Sequence, residues 1–338
     1  MKQIAITRNG GPEVLELGDV PTPEPGPGQL RIATASAGIN FADILIRQGV
    51  YPGAHRPPCV PGYEAAGTVD AVGHGVDAGW IGRPVLALTD YDSYAEAQVI
   101  DVDRALPCPE GLEPALAAAL PLNYVTAWVL LVVMGSLRAD QTVLIQNAGG
   151  GVGLAAIDIA RHIGARILGT SSPGKHEFLR SRGLDCPIDY RRDDWPEFVR
   201  EQTADEGVDL IIDPMGPGSW RKSLDLLGPT GRLGVFGIAE ASAPGIQGKL
   251  RMLRGMIRAP IFHPGRLITG NRGVFGCNIH RMYERRARLN GWLREVLTGY
   301  EAGWVRPHVD RIFPLSEAAD AHRWIESRRN LGKVLLAP

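Results

Sequence analysis

The run Val143-Leu144-Ile145-Gln146-Asn147-Ala148-Gly149-Gly150-Gly151-Val152-Gly153 constrains this chain more than any other stretch. An apolar strand signal runs into a turn almost without side chains. Leu154-Ala155-Ala156-Ile157-Asp158-Ile159-Ala160-Arg161-His162-Ile163 then recurs at helical spacing and stops at Gly164. Such a turn lets backbone N–H groups approach a pyrophosphate, whose charge is favoured at a helix N-terminus. Read as Ala148-x-Gly150-x-x-Gly153, the run is a dinucleotide fingerprint with alanine in the first glycine position. The next strand signal, Ala165 to Thr170, arrives at the βαβ distance. Further strand signals at Cys186–Tyr190, Val208–Asp213 and Arg232–Gly237 alternate with amphipathic segments, which implies α/β architecture with a doubly wound parallel sheet.

The 338 residues suffice for two domains. Residues 1 to about 121 are rich in Gly, Pro and short β-like runs (Gln29–Ala35, Gly67–Val72, Pro84–Leu88), which predicts a small β-rich domain. The dinucleotide domain is expected over 122–301. The tail, 302–338, ends in a strand expected to pair back onto the first domain. Leu116 to Met134 contains Pro121, Asn123 and Thr126, short of the ~20 clean apolar residues of a membrane span, and reads as a buried helix between domains. A net charge of −1 gives no electrostatic case for nucleic acid. Cys59, Cys108, Cys186 and Cys277 form no CxxC pair, and the eight histidines show no HxH or HExxH spacing. A reducing cytoplasm fits this cysteine usage. The first residues look like a strand rather than a signal peptide. From Gly248 to Arg272, basic residues interleave with apolar ones (Lys249, Arg251, Arg254, Arg258 and Arg266 among Leu250, Leu253, Ile257 and Ile261). The pattern suits a helix whose apolar stripe covers the protein's own core or cleft. Peripheral membrane contact through 249–266 is the other reading.

Ala37–Pro52, Pro61–Val69, the glycine turn and Gly332-Lys333-Val334 together resemble the medium-chain dehydrogenase/reductase superfamily, specifically its zinc-free quinone oxidoreductase branch. Residues 249–278 and Pro307–Asp310 are most similar to the subgroup named after the synaptic vesicle protein VAT-1. The resemblance implies a Rossmann domain joined to a GroES-like catalytic domain. Zinc-dependent relatives place a cysteine and a histidine where this chain has Asn40 and Tyr63. Neither replacement is a good zinc ligand, so no metal is expected. Polarisation of a carbonyl then falls to hydrogen-bond donors. Asn40, implied to lie beside the nicotinamide, and Tyr51, matching a proton-donating tyrosine of related enoyl-thioester reductases, are the candidates. Tyr63 is expected to line the same cleft. Asp43 and Arg47, one helical turn apart, could form a structural ion pair.

Cofactor choice follows from charge. The second strand of the dinucleotide domain ends in Gly169-Thr170-Ser171-Ser172-Pro173-Gly174-Lys175, with hydroxyls and a cation where NAD-specific domains usually place an acid. NADPH is therefore expected, with Ser171, Ser172 and Lys175 at its 2′-phosphate; Ser172 also suits an N-cap before Pro173. The resemblance adds Tyr190 at the adenosine end and Thr126, Phe236, Gly237 and Asn330 around the nicotinamide half. Ala148, Gly150, Gly151, Val152 and Gly153 form the turn itself. The leading expectation is an NADPH-dependent reductase of quinones or α,β-unsaturated carbonyls. An enoyl-thioester reductase and an NADPH-binding interaction protein with little catalysis are the alternatives. A homodimer joined through the edge strand near Gly273–Cys277 is expected by analogy.

Overall fold

A computed structural model describes residues 1–242, 250, 253–255, 257 and 259–338. Six parallel strands form one sheet in the spatial order Cys186–Asp189, Arg166–Ser171, Thr142–Ile145, Val208–Asp213, Leu227–Val235, Gly273–Gly276. The first three run outward from the centre in chain order and the last three run the other way. The order therefore reverses between Thr142–Ile145 and Val208–Asp213, the crevice where doubly wound sheets bind ligands at the strands' carboxyl ends. Val143, Leu144, Ile145, Ile211 and Ile212 are fully buried. Their continuous apolar runs reflect helices packed on both faces of the sheet. Helix Gly151–Ile163 turns Leu154, Ala155, Ile157 and Ala160 onto that sheet and ends at Gly164, whose φ of 87° is the left-handed cap that glycine adopts without strain.

The second sheet is β-rich and mostly antiparallel. Its long central strand, Gln29–Ile39, pairs with Glu64–Val72, with Ala97–Asp101 near its start, and with the terminal strand Lys333–Ala337 near its end. Val309–Pro314 adds outside the terminal strand. The tail therefore returns to the first domain, as expected from its strand signal. One hydrophobic cluster runs from Ile4 and Tyr94 through Leu120 and Tyr124 to Ile145 and Ile157, so both domains share a core.

The connection between the domains departs from the single helix expected over Leu116–Met134. It is broken into Pro114–Ala118, Pro121–Trp128 and a π-turn over Val129–Val133. Pro121 has no N–H to continue the first helix and instead starts the second. In the basic apolar segment, Leu250, Leu253, Ile257 and Ile261 are 48%, 54%, 76% and 82% exposed. Those side chains do not cover the core, which corrects the expected inward stripe. Lys249, Arg251 and Arg258 lie outside the described residues. Among the described residues no helix is long and apolar enough to cross a membrane.

Candidate active site

The glycine turn begins where Thr142–Ile145 reaches the crevice. Asn147, at a φ of 58°, makes the bend. Its N–H donates to Thr170 Oγ1 at 3.1 Å, and Ala148 N–H donates to the Thr170 carbonyl at 2.9 Å. The turn is thereby fastened to the second strand. A Cβ on Gly153 would lie 2.5 Å from the Asn147 oxygen and 2.6 Å from the Ala148 oxygen, so only glycine lets the helix start this close to the strand. Ala148 fits the first fingerprint position because Gly169 opposite has no side chain; a Cβ there would stand 2.8 Å from the Ala148 methyl. Val152 is partly buried on the first turn of the helix, and Gly150 is the N-cap.

At the adenosine end, Ser171 is buried at the strand terminus and its hydroxyl donates to the Ser172 carbonyl at 3.3 Å. Ser172 occupies the N-cap position of the turn Pro173–Lys175, but its side chain makes no capping bond. Lys175 Nζ donates to the carbonyls of Arg328 at 3.2 Å and Asn330 at 2.5 Å. Its stem lies over Gly149, where a Cβ would meet Lys175 Cδ at 2.8 Å. Burial pushes the Lys175 ammonium below its ordinary value. Tyr190 is exposed just beyond the outermost strand. Arg328, exposed and at a φ of 58°, presents its backbone carbonyl to Lys175.

On the catalytic side, Asn40 is the N-cap of helix Phe41–Arg47, and its carboxamide is held at both ends. Lys333 Nζ donates to Asn40 Oδ1 at 2.6 Å, and Asn40 Nδ2 donates to Glu64 Oε1 at 2.9 Å. Lys333 and Glu64 form a direct ion pair at 3% and 0% side-chain exposure. Glu64 Oε2 accepts the Leu122 N–H at 2.7 Å, from the first turn of the helix entering the dinucleotide domain. Gly38 makes room: a Cβ there would fall 2.5 Å from Glu64 Oε1 and 2.7 Å from Lys333 Cε.

Asp43 does not pair with Arg47, contrary to the ion pair considered from their spacing. Asp43 accepts the N–H of Asn40, three residues back, at 2.8 Å and that of Gly62, further along the chain, at 3.2 Å. Arg47 faces away, to Glu326 at 2.6 Å and His322 Nδ1 at 3.1 Å. Because arginine only donates, His322 Nδ1 accepts and Nε2 carries the proton. Nε2–H then donates to Tyr94 Oη at 3.1 Å, which donates to Asp43 Oδ2 at 3.3 Å. Burial pushes Asp43 up to about 7 against three donors that favour its anion.

Tyr63 lies within an aromatic group. Its ring centroid is 5.2 Å from Tyr91, 6.1 Å from His280 and 6.4 Å from Tyr283. His55 stacks on Tyr91 at 3.9 Å. The Tyr63 hydroxyl is buried and, among the described residues, makes no well-aligned hydrogen bond, although the Tyr91 hydroxyl stands near it. Burial raises its pKa, chiefly by desolvation, and the Tyr91 hydroxyl adds to the rise, so the phenol stays protonated. Tyr51 Oη donates to Asn278 Oδ1 at 3.4 Å across the cleft, and its pKa is also raised by burial. Thr126 is buried on the helix Pro121–Trp128. Phe236 N–H donates to the Asp213 carbonyl at 3.3 Å, and a Cβ on Gly237 would lie 2.8 Å from the Pro214 oxygen, which places both at the sheet's carboxyl edge. A concavity of about 610 Å³ lies elsewhere, lined by Pro109, Leu116, Tyr300, Val305 and Arg306 beside the domain connection, and contains none of these residues.

A six-stranded dinucleotide sheet joined by a short connection to a β-rich domain carrying Asn40 and Tyr63 is the architecture of a medium-chain dehydrogenase/reductase. The family model described as "Alcohol dehydrogenase GroES-like domain" matches residues 26–110, and that described as "Zinc-binding dehydrogenase" matches residues 182–336. The human synaptic vesicle membrane protein VAT-1 homolog is 32% identical, over 100% of this chain and 86% of its own. A Pseudomonas aeruginosa quinone oxidoreductase is also 32% identical, over 100% and 99%. The crystal structure of Escherichia coli quinone oxidoreductase complexed with NADPH superposes with a TM-score of 0.87 at 29% identity, covering both chains completely. The chain belongs to the quinone oxidoreductase family of medium-chain dehydrogenases/reductases, in its VAT-1-like subgroup.

Proposed function

We propose that this protein is an NADPH-dependent reductase that delivers hydride to a quinone or an α,β-unsaturated carbonyl without a metal ion. The observation that carries the reading is the Tyr63 hydroxyl, a buried donor that makes no well-aligned hydrogen bond among the described residues, at a position that zinc-dependent relatives give to a ligand. A buried hydroxyl with no partner is costly unless a ligand completes it. The donor set does not suit zinc: Tyr63 is held as a phenol, Glu64 is neutralised by Lys333, and the Asn40 carboxamide is engaged at both ends.

For NADPH the residues fit. The turn Ala148–Gly153 offers backbone N–H groups at the N-terminus of a helix of 13 residues, suited to a pyrophosphate. Ser171, Ser172 and Lys175 offer hydroxyls and a cation where a 2′-phosphate is expected, and Ser171 rather than an acid ends the strand. Tyr190 would border the adenosine; Thr126, Phe236, Gly237, Asn330 and Asn40 would surround the nicotinamide. Bound there, the cofactor supplies the hydride, and the protein supplies position and electrostatics. Tyr63 donates to the carbonyl oxygen as it gains charge. Tyr51, protonated at neutral pH and bonded to Asn278, is the group assigned to deliver the proton that completes reduction. Asn40, its amide ends both committed, acts as a fixed wall rather than as a donor.

Tyr63→Phe should lower kcat/KM for the accepted substrate by roughly 100-fold while NADPH binding stays intact; wild-type turnover in that variant would remove the reading. The assay is NADPH oxidation across quinones, enones and enoyl-CoA thioesters. Activity on the thioesters alone would favour the enoyl reductase alternative, and inactivity on all three the binding-protein alternative. Lys175→Ala should raise the KM for NADPH far more than for NADH, and equal effects would sink the 2′-phosphate assignment. Assembly as a two-fold dimer through Gly273–Gly276 is part of the same proposal.

A further inference from the structure

Among the described residues the Lys333–Glu64 pair has the least exposed side chains of any ion pair, and it lies against a residue next to the proposed reaction centre. Removing two charges from water costs several kcal/mol per ion, so a buried pair is weak evidence for stability in itself. Its geometry is more informative than its energy. Lys333 heads the terminal strand, and the residue before it, Gly332, donates its N–H to the carbonyl of Gly149 in the glycine turn at 2.9 Å. Gly332 also bridges Gly150. One residue onward, the Lys333 ammonium fixes the Asn40 carboxamide oxygen while Glu64 takes its N–H. The other Glu64 oxygen holds the Leu122 N–H. Two adjacent residues of the tail thus touch the cofactor turn and the cleft wall, and Glu64 ties that wall to the helix leading into the dinucleotide domain.

We infer that Lys333 is a positioning residue, which together with Glu64 fixes the orientation of Asn40 relative to the glycine turn and so sets the nicotinamide against the acceptor. The inference rests on the proposed reading that Asn40 borders the nicotinamide. An unrestrained Asn40 could rotate about its side-chain torsions and let the reacting carbons separate, and a misplacement of about 1 Å can cost on the order of 100-fold in rate. Asn40 Nδ2 also reaches the Gly38 carbonyl, but at a long 3.4 Å, so the two closer, charged partners from different strands set the rotamer.

Lys333→Met alone would leave Glu64 as an uncompensated buried anion and could unfold the protein. The test therefore uses the Glu64→Leu/Lys333→Met double variant, with Asn40→Ala and the triple variant completing a cycle. Lys333→Arg, which keeps a counter-ion for Glu64 but has a longer, planar head, serves as a fold-preserving second probe. Circular dichroism checks folding, fluorescence titration gives the NADPH Kd, and steady-state kinetics on the best acceptor gives kcat and KM. The double variant should keep NADPH affinity within about 3-fold and lose roughly 10- to 100-fold in kcat. Asn40→Ala should lose a similar factor, and the triple variant no more than either. Lys333→Arg should also lose kcat without losing NADPH. If Asn40→Ala is impaired while the double variant and Lys333→Arg turn over at the wild-type rate, the positioning role is wrong. It is wrong too if the triple variant loses the product of the two factors, since the sites then act independently. If Asn40→Ala itself turns over normally, the reading beneath the inference fails instead.

Discussion

At the scale of single residues, the site is organised by polar groups far apart in the chain. Asp43 holds the backbone of Asn40, just past the strand Gln29–Ile39, and of Gly62, just before the strand Glu64–Val72, and it is fully buried. Its carboxyl is pushed up to about 7, so folding favours its neutral form. A group raised on folding contributes stability in full below its unfolded value, near 4, and loses that contribution as pH rises through about 7. His322, held well below its ordinary value by burial, works in the opposite sense: its contribution is present above about 6.5 and is lost as pH falls. The Asp43 term is therefore read as a difference between proteins. Urea denaturation of the wild type and Asp43→Asn at pH 5 and pH 8 should show a wild-type loss of stability with rising pH that the variant lacks, on the order of 2.5 kcal/mol across the interval. The substituted side chain would also set its amide against backbone donors and lower stability at both values. Identical pH dependence in the two proteins would show that folding does not raise the Asp43 carboxyl. None of this was legible in the sequence, because the partners stand 275 residues apart for Arg47 and His322 and 269 for Lys333 and Glu64. The i, i+4 spacing of Asp43 and Arg47 suggested a local pair, and capping geometry together with the distant Glu326 overrode it.

At the scale of elements, what the sequence disclosed is what local rules control. The glycine turn, its helix and the Gly164 cap were readable because each depends on residues within one turn of the chain. The strands Val208–Asp213 and Pro84–Leu88 were marked by apolar runs between turn residues. The broken connection at Pro121 was misread as one helix, since apolar content alone does not say where a buried helix ends. The exposed Leu253 and Ile257 were misread for a related reason: periodicity describes a face, and only the fold says what that face meets. Glycines test the same point quantitatively. Gly153→Ala would drive a Cβ into two backbone oxygens and should cost about 1–3 kcal/mol with a loss of NADPH affinity. Gly291, inside helix Arg286–Glu301, has nothing within 4 Å of its would-be Cβ, so Gly291→Ala should raise stability by about 0.5–1 kcal/mol with kinetics unchanged. Thermal melts read both signs, and a neutral Gly153→Ala would mean that the turn has room the geometry denies it.

At the scale of the whole molecule, the segment after Gly273–Gly276 connects the sheet's edge to the cleft. Asn278 reaches Tyr51, and His280 reaches Asp90 at 2.8 Å; further along, Arg286 pairs with Asp101 and Asp103, each at 2.8 Å. These contacts clamp the β-rich domain along one side of the cleft, and Gln48 bonds Ser242 at 3.2 Å elsewhere on its border. The edge strand is paired on one side by Leu227–Val235. Among the described residues its other side has no strand partner, and such an edge invites pairing with a second copy. Cys277 N–H donates inward to Val235. By strand alternation, Val274 N–H points outward, so proline at 274 removes a donor from the free edge and none from the inner ladder. Sedimentation equilibrium should give the mass of two chains for the wild type and of one for Val274→Pro, with circular dichroism unchanged. The monomeric variant should show a higher KM for the acceptor, because the clamp residues Asn278 and His280 follow the freed strand directly. A wild-type monomer, or a variant that stays dimeric, would place any self-association on another surface and leave the clamp held by the fold of one chain.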